Sequence, residues 1–150
     1  MGRIVQLARS DGGVPKLAIS EAHAGKLGLE GDRQIHTKHH GGPDRALCLF
    51  SREVIEALRA EGHPITPGST GENVTIEGLD WAALHAGTRL ALGDEVVVEL
   101  TKEADPCKQI AASFAGRKFN RLNVPGQMRW YCRVLVPGLL RVGMSVRIQA

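Results

Sequence analysis

The chain has 150 residues, with Lys+Arg 19 against Asp+Glu 16, a formal net charge of +3, 43% hydrophobic and 4% aromatic residues. That length fits one domain spanning residues 1–150, able to bury about 70% of its unfolded surface. So small a positive surplus, with few aromatic rings among the basic residues, argues against non-specific nucleic-acid binding. The cysteines Cys48, Cys107 and Cys132 are odd in number and far apart, which excludes a disulfide framework and points to a reducing cytoplasm. No long apolar run is present at the N-terminus or elsewhere, so neither a signal peptide nor a membrane span is expected.

Taken in chain order, Arg3 to Ala8 alternates as a first strand, turned around by Ser10-Asp11-Gly12-Gly13 toward a hairpin partner from Lys16 to Ile19. Gly28 to Ile35 holds a short strand broken by Gly31-Asp32, and Ala46 to Phe50 reads as a strand buried on both faces. Ser51 fits an N-cap for a helix to about Ala60, with Val54, Ile55 and Leu58 on one stripe and Gly62 beyond its end. Asn73 to Ile76 is another strand, and Asp80 to Leu84 a single helical turn. The runs Gly87 to Val98 and Gly138 to Ile148 resemble each other, each reading as strand, glycine turn and outgoing strand, a hairpin idiom of barrels. Lys108 to Phe114 is read as a second helix and Met128 to Val136 as a long strand. Many short strands, two helices and no βαβ rhythm predict a mostly β protein, a closed or partly open β-barrel with two or three short helices.

Three polar segments stand out between apolar strands. Cys107, in Asp105-Pro106-Cys107-Lys108, opens the second helix beside a lysine, where a thiolate able to attack or to bind a metal is most easily formed. Cys48 and Cys132 lie inside apolar strands and are read as packing. In His39-His40-Gly41-Gly42 the glycines let backbone N–H groups approach an anion, and His39 or His40 can donate to it. Alternation along extended chain admits only one of the two histidines to a given pocket, and His40 is favoured. Arg45 offers a planar fork for a phosphate. In Gly71-Glu72-Asn73, Glu72 is read as an ionised carboxylate that orients a substrate amine or acts as base, and Asn73 as the residue holding that loop. Lys102, Lys108, Arg117, Lys118, Arg121 and Arg129 fall in the stretch that carries Cys107; the two readings are a solvated face and an anion pocket. A zinc site from His36, His39 or His40 with Cys107 is the weaker alternative, since the paired short-spaced ligands usual for structural zinc are absent from the sequence.

In this order, His39-His40-Gly41-Gly42 with Asp44 and Ala46, then Gly71-Glu72-Asn73, then Pro106-Cys107, the sequence resembles the MOSC family, named after the C-terminal part of molybdenum cofactor sulfurases. Arg129 to Val134, Gly138 and Gly143 look like that family's closing strands, and the likeness runs from about Gly31 to Ile148. It implies a MOSC-like barrel, similar to the β-barrel domain of pyruvate kinase, with one reactive cysteine on its rim. It further implies that Cys107 ligates the molybdenum of a molybdopterin cofactor or carries sulfur, with reduction of N-hydroxylated compounds or sulfur transfer as the reaction. On this reading Glu72 and His40 orient the reacting group, while His39, Gly41, Gly42, Arg45, Asn73, Lys108 and Arg129 line the cofactor site. Pyridoxal phosphate binding is a property found elsewhere in the family. Better-known relatives carry an extra N-terminal β domain, an aminotransferase-like domain or a C-terminal helical extension, none of which fits in 150 residues. The expected partners are therefore a small molecule or cofactor with either a second copy of the chain or a separate reductase or sulfur donor; a non-catalytic carrier module is the alternative.

Overall fold

The structure is a computed structural model that describes residues 1–32 and 42–149. Its strands are β1 (Gly2–Arg9), β2 (Leu17–Ile19), β3 (Glu21–Gly25), β4 (Gly28–Leu29), β5 (Leu47–Ser51), β6 (Val74–Glu77), β7 (Arg89–Leu92), β8 (Val96–Ala104), β9 (Arg129–Val136), β10 (Gly138–Arg141) and β11 (Ser145–Ile148). One α-helix, α1 (Arg52–Ala60), is joined by short 3-10 helices, among them Pro43–Arg45, Trp81–Ala83 and Lys108–Ser113. Seven strands close a barrel in the order β11-β7-β8-β9-β5-β6-β1, with β1 pairing back onto β11 and β2 hanging from β1. A second sheet, β10-β3-β4, lies outside the ring.

Alternation explains the barrel wall. Leu47 and Leu49 of β5, Val74 and Ile76 of β6, Val96, Val98 and Leu100 of β8, and Trp130, Cys132 and Val134 of β9 share one interior cluster. With side chains on opposite faces of each strand, Cys48, Phe50 and Tyr131 point out of the barrel. Those outward side chains are nevertheless buried, because a second apolar layer covers them. Phe50 packs with Ile55 and Leu58 of α1 and with Ile65, Ile110, Phe114 and Leu122, and Cys48 packs with Ala104 and Tyr131. β5 is buried along its whole length, as its unbroken apolar run predicts.

Helix α1 starts as expected: the Ser51 hydroxyl accepts from Val54 N at 3.2 Å, and Ile55 and Leu58 face the second layer. Two expectations are corrected. Strand β5, helix α1 and strand β6 form a βαβ unit, with Leu49 opposite Val74 in parallel register, where no such unit was expected. Its crossover is the reason α1 lies against the barrel wall. The run from Gly138 to Ile148 is not a hairpin either: β10 pairs with β3, while β11 pairs with β7 and β1. The likeness to β7 and β8, which do pair with each other, is therefore one of local pattern; β10 leaves the ring because β3, not read as a strand from the sequence, offers it an edge. Among the described residues no helix is long and apolar enough to cross a membrane.

Candidate functional site

Strands β8, β9 and β5 present one outward patch, set by register: Tyr131 stands opposite Cys48 and Lys102, and Arg129 opposite Ala104. Of the polar segments singled out in the sequence, the described residues bring the loops before Glu72 and before Cys107 to it through Arg129, and Arg45 to it through Tyr131. Expectations for His39, His40 and Gly41 concern residues outside those described. Gly42 is exposed, with φ 82°, and caps the 3-10 turn Pro43–Arg45. Arg45 places its guanidinium carbon 5.4 Å from the centre of the Tyr131 ring, a cation–π contact.

Arg129 ties the other two segments together. It is only 3% exposed, and its Nη1 donates to Thr70 O at 2.5 Å while Nη2 donates to Asp105 O at 3.2 Å and Ala104 O at 3.5 Å. One guanidinium thus joins the loop leading into Gly71-Glu72-Asn73 to the loop leading into Cys107. Its Nε has no acceptor among the described residues. Arg129 was expected to line the cofactor site; in the structure its Nη1 and Nη2 are both engaged by backbone carbonyls.

Cys107 is half-buried, whereas Cys48 and Cys132 are buried. It caps the 3-10 helix Lys108–Ser113, and its carbonyl accepts from Ile110 N at 3.1 Å. The helix read from the sequence at Lys108 to Phe114 is present as a 3-10 helix, Lys108–Ser113, and not as an α-helix. Six residues of 3-10 helix hold no comparable stack of aligned peptides, so the dipole argument for ionising the thiol does not carry over. Lys108 beside it is exposed. Burial pushes the Cys48 thiol up to about 11, with the Arg129 charge opposing and Glu72 reinforcing, and burial likewise drives the Cys132 thiol upward. Burial also raises the Tyr131 phenol, with Cys48 next, and Arg129, Arg45 and Cys107 acting on it as well.

Glu72 and Asn73 face inward. Glu72 is 0% exposed, and its carboxylate accepts from Gly68 N at 3.0 Å, Thr70 Oγ1 at 2.8 Å and Thr75 Oγ1 at 3.4 Å. The expected pocket-lining base is corrected to a buried group that shapes its own loop. Gly71 precedes it at φ +86°, and a Cβ there would come within 2.8 Å of Val14 Cγ1, so both conformation and space call for glycine. Burial raises the Glu72 carboxyl above its ordinary 4.5, with the Gly68 and Thr70 donors opposing. The folded chain therefore binds this proton more tightly than the unfolded one. That contribution to stability is fully present below pH 4.5 and is lost as pH rises through the folded-state value. Wild-type protein is expected to lose stability relative to Glu72→Gln as pH is raised from about 4.5 to 8. Melting temperatures across that range test this, and parallel curves would refute it.

Asn73 is fully buried. Its Oδ1 accepts from Cys48 N at 3.0 Å, and its Nδ2 donates to Ala8 O at 3.3 Å and Asp32 Oδ2 at 2.8 Å, so both ends of the amide are engaged by the protein itself. Two residues escaped the sequence reading altogether. Lys16 Nζ lies 2.6 Å from Asp32 Oδ2, with side-chain exposures of 3% and 4%, and Asp32 Oδ1 also accepts from Ser10 N at 3.0 Å. Their signal in the sequence is faint: Lys16 sits at a strand start and Asp32 in a glycine turn, both commonly solvated. Among the described residues no three His, Cys, Asp or Glu side chains are grouped to hold a metal ion.

The MOSC domain model matches residues 36–147 of the chain. The protein is 30% identical over 122 residues to YflK of Bacillus subtilis (strain 168), covering 80% of this chain and 55% of that one. It is 30% identical over 118 residues to YiiM of Escherichia coli (strain K12), covering 75% and 52%, so it spans about half the length of these relatives. A protein of Gibberella moniliformis (strain M3125 / FGSC 7600) called a reductase is 27% identical over 126 residues, 81% of this chain and 22% of that one. Among solved structures, YiiM from Geobacillus stearothermophilus shares the fold with a TM-score of 0.78 at 21% identity, over 100% of this chain and 76% of that one.

Proposed function

Because the chain belongs to the MOSC domain family, we propose that it is a molybdenum-cofactor-linked protein in which Cys107 supplies the working sulfur, as a ligand to molybdenum or as the carrier of a transferable sulfur atom. One observation carries this reading: of the three cysteines, Cys107 alone is partly open to solvent, and it follows the loop whose carbonyls Arg129 holds together with that of Thr70. The residues present suit such a group. A half-buried thiol offers a soft donor, exposed Lys108 and the Arg45 guanidinium offer positive charge for a phosphate, and Arg129 keeps a buried N–H without an acceptor among the described residues. When bound, the cofactor would supply two-electron redox chemistry. The chain itself fixes the sulfur: Arg129 pins the carbonyls two and three residues before it, and the Ile110, Phe114 and Leu122 layer anchors the turn after it. Reduction of N-hydroxylated compounds is the proposed activity, and the relative called a reductase is consistent with it.

In the sulfur-carrier alternative, Cys107 thiolate attacks the outer sulfur of a donor persulfide. A new S–S bond forms at Cys107, the donor's S–S bond breaks, and the donor leaves as its thiolate. Native protein treated with iodoacetamide at pH 8 is expected to be labelled at Cys107 and spared at Cys48, whose thiolate fraction at that pH is on the order of one in a thousand; denatured protein should take the label at all three. Metal analysis and intact mass of freshly isolated protein read molybdenum and a +32 Da persulfide side by side (about the mass of one sulfur atom). Both signals should vanish in Cys107→Ser. Molybdenum, persulfide and activity all undiminished in that variant would end the proposal.

A further inference from the structure

From Pro106 to Ala150 the chain carries eight Lys and Arg and no Asp or Glu. Several of these cations are answered by carboxylates from elsewhere: Arg133 by Asp44 at 3.2 Å and Glu99 at 3.4 Å, Arg141 by Glu21 at 3.5 Å, and Arg121 by Glu61 at 2.7 Å. Arg129 is spent on backbone carbonyls. Lys108, Arg117 and Lys118 are exposed and have no ion pair among the described residues, and all three belong to the segment that begins at Cys107. Arg117 holds φ 59°, a left-handed conformation that is costly for any residue but glycine and persists where something other than local stability keeps it.

That segment is also firmly held. Phe114 and Leu122 are buried in the second layer, His63 Nδ1 accepts from Ala115 N at 3.1 Å, and Glu61 grips Arg121 through both oxygens at 2.8 and 2.7 Å. These charges therefore stand on a firmly held segment that begins at Cys107, with Lys108 next to the thiol in the chain. Resting on the reading of Cys107 as the working sulfur, we propose that this face docks an acidic protein surface, which brings a partner's sulfur or electron donor to Cys107. Positive charge around a reactive group steers such an encounter and selects its orientation. A nucleic acid is less suited, because Phe114 is buried and Phe119 half-buried, leaving no fully exposed aromatic ring between residues 108 and 122 to stack on. A membrane is less suited too, because none of the exposed large hydrophobic residues lies between 108 and 122.

The test uses the full chain and fluorescent poly-L-glutamate as the acidic polypeptide, read by anisotropy at low and physiological salt. Expected are salt-sensitive binding, slower modification of Cys107 by N-ethylmaleimide when the polymer is bound, and at least ten-fold weaker binding with no protection in the triple variant K108E/R117E/K118E. Arg117→Gly, which suits the backbone at that position, should keep the fold and weaken binding about two- to five-fold. Cys107→Ser should leave the affinity within about two-fold, so a failure of the cysteine chemistry and a failure of the docking face are told apart. The proposal is overturned by binding that ignores the triple reversal, by binding that leaves Cys107 equally reactive, or by tighter binding of duplex DNA or of phosphatidylserine vesicles at matched charge.

Discussion

Replacing Lys16 by Met is expected to destabilise the protein by about 3–5 kcal/mol, the range for removing one partner of a buried ion pair. The carboxylate left behind is 4% exposed and would lose the ammonium group 2.6 Å away while keeping the neutral donors Ser10 N and Asn73 Nδ2. Asp32 is joined through Asn73 to the amide of Cys48, the residue opposite Tyr131, so the damage should reach the rim. Pairing the change with Asp32→Asn removes the stranded charge and should restore more than half of the loss. Urea denaturation of the two single variants and the double variant measures this as a cycle. Additive losses would show that the pair is not an energetic unit.

Arg129→Met is the second large effect, with an expected loss of about 2–4 kcal/mol, because the carbonyls of Thr70 and Ala104 lose a charged donor in a buried setting. Arg129→Lys should recover less than half of it, since one ammonium cannot span the Thr70 and Asp105 carbonyls as a planar fork does. A second readout separates anchoring of the cysteine from general stability. Iodoacetamide should modify Cys107 at an altered rate in Arg129→Met under native conditions, while Cys132, within the barrel core, remains protected. A loss under 1 kcal/mol with Cys107 reactivity unchanged would remove Arg129 from its role as tie.

Much of the ring was readable in the residues because half-buried strands alternate and fully buried ones do not. Leu47 to Ser51, Val96 to Leu100 and Arg129 to Val136 each carry that signature, and Ser51 announces α1 by its cap. Glu21 to Gly25 does not: two of its five residues are alanine and one is glycine, so strand propensity is weak and long-range pairing with β10 makes the strand. The ordered set of polar motifs that carries the family resemblance was also legible. What could not be read was direction. Glu72, Asn73 and Arg129 look like site chemistry in one dimension, yet each is turned inward to satisfy buried backbone or hydroxyl groups. Lys16 and Asp32 were invisible because a buried ion pair has no local pattern; it exists only when the turn at Asp32 is folded onto the strand that follows Pro15.

The ring also has a front and a back. The seam between β1 and β11 registers only Gly2 with Val146 and Arg3 with Ser145, helped by Ile4 N to Met144 O and Gly143 N to Ile4 O, whereas β8 and β9 are laced together from Val97 to Ala104. Thermal breathing should therefore begin at the seam, on the side of the cylinder away from Tyr131. Deuterium ought to enter the amides of β1 and β11 long before those of β9, and the sulfur-bearing rim would keep its shape while the wall behind it opens and shuts.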